Sequence, residues 1–341
     1  MIEWKCFELH THTLHSDGNF SVSELCTHAE NFLYDGIALT DHNTMSGLDE
    51  LESEPAETVP EGNLDPIGSR RRVPVIPGIE WTTYYGHMLV IGAESYVDWR
   101  FARPDTIDEY TRTVKEAGGV TGIAHPFNLG SPMCTGCYWD FKVRNWNNID
   151  FIEVWSEPFP QSRLKNEIAF EWWTELLNQG HHLAASSGWD WHHLEPDKPV
   201  LPAATWLGLN DGAINPQAVK EALASGRTIV SCGPFPEFCL RRGEKIFYPG
   251  DTLDAGAVNL SITVDENRRK KIWGTFGIRT EKLCLTHNGS PLKTFLRDPS
   301  LHWEENLNLP PGWIRIEGFG ELEGQKDKLL FFSSPFYISK P

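Results

Sequence analysis

Short β-type runs alternate with amphipathic helical runs through the first two thirds of the chain, and this rhythm limits the possible folds more than any other feature. In "KCFELHTH", Phe7 and Leu9 alternate with Glu8, His10 and His12, the period of two that a strand requires. Ser21 and Glu24 then stand at capping-box spacing, and Val22, Leu25, Ala29 and Leu33 form an apolar stripe that Gly36 is expected to stop. "GIALTDH" is the second β-run, and "VPVIPGIEW" and "HMLVIGA" read as strands joined by the turn-like "TTYYG". Thr106 and Glu109 open another helix, with Ile107, Tyr110, Val114 and Ala117 as its stripe and Gly118-Gly119 as its stop. "GVTGIAHP", "IDFIEVWS" and the start of "HHLAASSGWDWH" are further strands, with a Trp-rich helix over about 163–179 that is apolar on more than one face. "TWLGL", a helix opened by Asn215-Pro216, and "GRTIVSCGP" complete the pattern. Repeated β-α units predict parallel strands with helices outside, in a barrel or an open sheet.

From about Pro236 the texture changes to short strands separated by Gly, Pro and Asn, which predicts a small β-sandwich. The expected division is therefore 1–235 and 236–341, with an exposed insertion over 52–72. A length of 341 residues suits a barrel-sized domain with a smaller companion, and 40 % hydrophobic residues with 14 Trp can fill a large core. The balance of 30 Lys+Arg against 47 Asp+Glu gives −17, which repels a phosphate backbone and argues against general nucleic-acid binding. No secretory signal and no apolar run of about 18 residues is visible, so no membrane span is expected. Seven scattered Cys read as thiols of a cytoplasmic protein; Cys134 and Cys137 make a lone CxxC, which by itself assigns neither a redox nor a metal role.

The 13 His are placed unevenly. His10, His12, His42, His125 and His192 fall where predicted strands end, and His87 begins one. Asp17, Asp41, Glu80, Glu153 and Asp190 accompany them. In barrels and open sheets, chemistry collects at the carboxyl ends of strands. Two imidazoles at i and i+2 share a strand face, and imidazole with carboxylate suits Zn, Mn or Fe. A lone His at a strand end is more often a hydrogen-bonded structural residue; the joint occurrence points to a metal site.

"ELHTHTLHSDG", "ALTDHN", "IPGIEWTTYYGHMLVIG", "GIAHPF", "FIEVW" and "SSGWDWH" occur in the order seen in PHP (polymerase and histidinol phosphatase) metallohydrolases, which residues 7–235 resemble. "GIE…YYGHMLVIG" and "GRTIVSCGP" are similar to the CehA/McbA-like branch. The resemblance implies an α/β fold, a distorted (β/α)7 barrel with a C-terminal β-sandwich-like domain, and two to three divalent ions. It implies His10, His12, Glu80 and Asp190 around a first ion, and Glu80 bridging to a second held by His87 and His125. Asp17, His42 and His192 resemble the ligands of a third, with Asp17 standing where some members have histidine.

His15 falls at the rim, and Asp41 is expected to orient a ligand imidazole. Glu153 and Trp155 are expected at the site floor, with core packing the equal alternative for Trp155; Arg163, or Lys165, is expected to meet substrate or, equally, to be a solvated residue opening the helix. Trp81, Tyr84, Tyr85, Trp189 and Trp191 suit an aromatic substrate, a nucleobase or core packing equally. The implied reaction is hydrolysis of a small-molecule substrate by a metal-bridging hydroxide, with Asp190 and His192 as proton-transfer residues. A phosphoesterase acting on a small phosphorylated metabolite or nucleotide is the favoured reading. An ester, amide or carbamate hydrolase of CehA/McbA type and a non-catalytic metal-binding module are the alternatives. Oligomeric state is open.

Overall fold

The computed structural model describes residues 1–53, 73–130, 135–195 and 198–340. Most of the expected insertion over 52–72, and Cys134 of the CxxC, lie outside these. The first part runs β1 (Ile2–Glu8), α1 (Val22–Asn31), β2 (Gly36–Leu39), α2 (Gly47–Ser53), β3 (Val75–Thr83), β4 (Gly86–Ile91), α3 (Ile107–Glu116), β5 (Val120–Ile123), β6 (Phe151–Ser156), α4 (Leu164–Asn178), β7 (Ala184–Gly188), β8 (Ala204–Asn210), α5 (Pro216–Ser225) and β9 (Thr228–Ser231). The second continues β10 (Phe235–Arg242), β11 (Lys245–Phe247), β12 (Thr252–Asp254), β13 (Gly256–Asp265), α6 (Lys270–Trp273), β14 (Arg279–His287), β15 (Ser290–Leu296), β16 (His302–Leu309), β17 (Gly312–Leu322), β18 (Gln325–Ser333) and β19 (Phe336–Ser339).

The fold is mixed α/β, built on one large sheet. Its central path is β9-β8-β1-β2-β3-β4-β5-β6-β7. The pairs β1–β2, β2–β3, β5–β6 and β6–β7 are parallel, as β-α repetition demands. The pair β3–β4 is antiparallel because the short "TTYYG" turn reverses the chain there, and β4, so reversed, also runs antiparallel to β5, which follows α3. The ladder path is open, ending at β7. Between β7 and β1 the described residues make one isolated bridge, Thr11 with Trp191, so the expected barrel reaches no further than that contact. A smaller core on one face of β1–β8, including Phe7, Leu9, Ile76 and Phe151, is closed by Val219, Ala222 and Leu223 of α5. The larger core lies under α1, α3 and α4 and extends into the C-terminal strands.

Local signals set the helix starts. Ser21 Oγ accepts the Glu24 N–H while Glu24 accepts the Ser21 N–H, and Asn215 Oδ1 accepts the Ala218 N–H. The stop of α1 differs from expectation. The helix ends at Asn31 and Leu33 turns the chain at φ +58°. Gly36 belongs instead to β2, where a Cβ would come within 2.3 Å of the Phe7 ring. Among the described residues, no helix is long and apolar enough to cross a membrane.

The C-terminal part is mostly strands, but it is not detached. β10, β11, β13 and β16 form a separate four-stranded sheet, whereas β12, β19, β17 and β18 extend the large sheet through the β18–β9 ladder. Hydrogen bonding therefore crosses the sequence-based boundary at 235/236. Arg315 of β17 strengthens the seam. Its guanidinium stands 4.2 Å from the Phe170 ring centroid and 4.8 Å from that of Trp173, both on α4, and it donates to Thr174 and to Glu317. Arg315 and Glu317 are both buried. Breaking such a pair strands a charge, whereas replacing both partners with apolar residues removes the desolvation cost. Arg315→Ala should therefore lower unfolding free energy by about 3–5 kcal/mol in urea titrations, and Arg315→Met with Glu317→Leu should recover most of it.

Candidate metal centre

Glu80, on β3, is fully buried and lies among five imidazoles. Its Oε2 is 2.9 Å from His42 Nδ1, 3.2 Å from His10 Nε2 and 3.4 Å from His12 Nε2. Its Oε1 accepts from His87 Nδ1 at 2.9 Å and from His125 Nε2 at 3.0 Å. The β3–β4 hairpin carries Glu80 and His87, with Thr82 opposite His87 in the register. A bridge between His42 and Glu80 attaches the segment after β2. His10 and His12 follow β1, and His125 follows β5.

The structure brings together nine candidate ligands in three overlapping groups. These are His10, His12, Glu80 and Asp190; Glu80, His87 and His125; and His12, Asp17, His42 and His192. Within each group the ligand atoms lie within 4.8 Å of one another. His12 adds to the third set implied by the family resemblance. Asp190 Oδ1 is 3.1 Å from His12 Nε2 and 3.3 Å from His10 Nε2, while Asp17 Oδ1 is 3.1 Å from His192 Nε2 and 3.4 Å from His42 Nε2.

The donor set fits cations. His10 Nε2, His12 Nδ1 and Glu80 Oε2 are buried and make no hydrogen bond, even where two of them lie 3.2 Å apart. Buried polar atoms left this way are costly unless something satisfies them, and lone pairs converging from imidazoles and carboxylates are what a divalent ion takes. Glu153 accepts from His10 Nδ1 at 2.8 Å, which leaves Nε2 directed at Glu80 and Asp190.

These groups also pair with one another. Burial alone would raise the Glu80 and Asp190 carboxyls, but the surrounding imidazoles, His10 foremost, hold both well below the usual range. Burial would lower His42; the Glu80 and Asp17 carboxylates outweigh it and push His42 up to about 10. Burial dominates at His12, whose imidazole is pulled down to about 4.

The backbone is unusual at the ligands. Asp190 has φ +57°, His125 φ +26° and Asn43, beside His42, φ +53°. Such conformations cost on the order of 1–3 kcal/mol each and persist where surrounding contacts over-determine them. At Asp190 those contacts are visible. The Trp191 N–H donates to His10 O and the His12 N–H to Trp191 O, each at 3.0 Å, while Trp189 and Trp191 stack at 4.2 Å.

A cavity of about 500 Å³ opens beside Asp190 and His192, lined also by Phe159, Arg163, Trp189 and His193. Arg163 is therefore at the cavity, although Glu157 and the Pro158 carbonyl already engage it. Lys165 pairs with Glu157. Of the two residues expected at the site floor, Glu153 lies beside a candidate ligand and Trp155 packs in the core. Trp155 is buried edge-on against Phe332, and Glu153 meets His10. Asp41 does not touch an imidazole; it accepts from Thr13 N–H, Thr13 Oγ1 and Ser16 Oγ and so fixes the loop after His12. His15 bonds Ser46 and Glu50. Trp81 is buried and donates to Val97 O, whereas Tyr84 is exposed.

Sequence reasoning did not single out Glu8. This buried carboxylate accepts the backbone N–H groups of His10 at 3.0 Å and Trp189 at 2.9 Å. The signal was its place on the strand face shared with His10 and His12.

Residues 8–123 match the PHP domain family. A two-domain protein from Bacteroides vulgatus containing a predicted PHP-like metal-dependent phosphoesterase has a similar fold. Its TM-score is 0.51 at 16% identity, over 98% of this chain and 95% of that one. A candidate metal-dependent phosphoesterase from Bifidobacterium adolescentis aligns at TM-score 0.38 and 18% identity, over 64% of this chain and 95% of that one. An amidohydrolase from Chromobacterium violaceum aligns at TM-score 0.35 and 16% identity, over 55% and 87%. No curated protein matches the sequence.

In metal-stripped protein, His42 held protonated by Glu80 and Asp17 should add to the stability of the fold. Because its folded value is raised, that contribution is complete below pH about 6.5 and is lost as pH rises through about 10. The melting temperature of metal-stripped protein, followed by circular dichroism, should fall between pH 7 and 10. His42→Gln should flatten that part of the profile.

Proposed function

We propose that the protein is a metal-dependent hydrolase, and that its substrate is a small phosphorylated metabolite or nucleotide cleaved at a phosphoester bond. The observation that carries this reading is the sharing of Glu80 and His12 between adjoining ligand groups, which suits two to three divalent ions of Zn, Mn or Fe held side by side. The PHP match over residues 8–123 and the two-domain fold shared with the Bacteroides protein support it. A structural metal site would instead be closed around one ion.

Bound there, divalent ions supply positive charge to a phosphoryl group and lower the pKa of water at neutral pH. The chain's own residues then divide the remaining work. His10, His12, Asp17, His42, Glu80, His87, His125, Asp190 and His192 would hold the ions. Asp190 and His192 also line the cavity, where either would take the proton of an attacking water. Arg163, at the cavity and paired with Glu157, would meet the phosphoryl group or its leaving portion. Glu153 keeps the His10 ring in place. Assigning the site to residues 1–235 leaves 236–341 as a supporting β-rich part.

Metal analysis followed by a paired assay tests the reading. Aryl phosphate mono- and diesters should release product in a metal-dependent, chelator-sensitive way, whereas naphthyl esters and carbamates should be poor substrates. Acyl cleavage without phosphate release would replace the phosphoester reading with the ester, amide or carbamate one. No turnover with any metal would leave a binding module. Asp190→Asn should reduce kcat by at least about 100-fold. Full activity in that variant with metals bound would remove Asp190 from proton transfer.

A further inference from the structure

Glu8 links two ligand segments that are distant in sequence. One carboxylate oxygen accepts the N–H of His10 and that of Trp189, so it fixes the backbone at the first histidine ligand and immediately before Asp190. Its other oxygen accepts the hydroxyl of Tyr34 at 3.2 Å. Tyr34 is buried, and the guanidinium of Arg269 lies 4.5 Å from its ring centroid. Arg269 comes from the C-terminal part, in the left-handed turn that opens α6, at φ +55°.

A second branch leaves the same arginine. Arg269 Nη2 and Nε donate to the Phe32 carbonyl at 2.8 and 3.2 Å. The Phe32 ring packs edge-on against Trp189 at 4.9 Å and Trp191 at 5.4 Å, the stacked pair that flanks Asp190. One guanidinium from residues 236–341 thus reaches the Asp190 turn by two routes, through Tyr34 and Glu8 and through Phe32 and the tryptophans. Its neighbour does not. Arg268 bonds the Trp4 carbonyl and covers Trp206 and Phe235.

We propose that Arg269 and Tyr34 are positioning residues for the metal centre: the β-rich part sets the geometry of His10 and Asp190 through them. The inference rests on the metal-binding reading above. Partners that orient ligands without touching the ion commonly change metal affinity by about 10–100-fold when removed.

Calorimetric titration of the full chain with Mn²⁺ tests this, with thermal melting alongside. Tyr34→Phe keeps the ring under Arg269 and deletes only the hydroxyl; Arg269→Lys keeps the charge and loses the planar fork. Each should weaken Mn²⁺ binding about 10-fold. Arg268→Lys, which perturbs the same interface, should change melting temperature but not Mn²⁺ affinity. Unaltered affinity in both Tyr34→Phe and Arg269→Lys overturns the proposal. So does an equal loss in Arg268→Lys, because interface damage alone then explains it. Should Arg269→Lys not fold, Tyr34→Phe against Arg268→Lys decides. A wild-type chain that binds no Mn²⁺, Zn²⁺ or Fe²⁺ removes the metal-binding reading itself. Metal binding that is unchanged in the variants removes only this inference.

Discussion

The structure depends first on one carboxylate out of reach of water. An isolated charge at Glu80 would be prohibitively costly, and it is tolerated because five imidazoles surround it. Those imidazoles come from the segments after β1, β2 and β5 and from β4. The Glu80 N–H also approaches the Thr40 and Asp41 carbonyls, at 3.1 and 3.2 Å. The arrangement joins the ends of the central strands at one point. The same imidazoles hold the Glu80 and Asp190 carboxyls ionised, and they are the groups that would ligate a cation.

The C-terminal part contributes more than bulk. Arg315 fills an aromatic box on α4, Arg268 covers Trp206 and Phe235, and Arg269 covers Tyr34. A guanidinium suits such places because it is planar, weakly hydrated and able to stack and donate at once. The ladder between β9 and β18 supplies the continuous connection, and the arginines fix its orientation.

Much of the fold could be read from local chemistry. The β-α rhythm, the Ser21 capping box and the Asn215-Pro216 start each depend on residues within one turn of one another. The candidate ligands could be read because they cluster where strands end, and His10 with His12 shows its shared face by spacing alone. Other features escaped because they are settled at long range. The partner that gives Glu8 its role is an amide 181 residues away. Asp41 resembles a residue that orients an imidazole, yet the Thr13 and Ser16 hydroxyls reach it first. Trp155 could be lining or core until Phe332 was seen beside it. Gly36 resembles a helix stop, but its lack of a side chain serves the Phe7 ring. The β9–β18 pairing has no local signature, so the hydrogen-bonded connection between the β-rich tail and the first part was not legible.

That pairing bears on how the chain matures. As synthesis proceeds, β9 is complete while its partner, residues 325–333, is still to be made. Until then β9 is a bare sheet edge, the kind of surface that recruits strands from other molecules. Three short, wholly buried residues of β9, Ile229, Val230 and Ser231, form that edge. Closing that edge is therefore a task of residues made about a hundred positions later, and the first part of the chain cannot complete its own sheet without them.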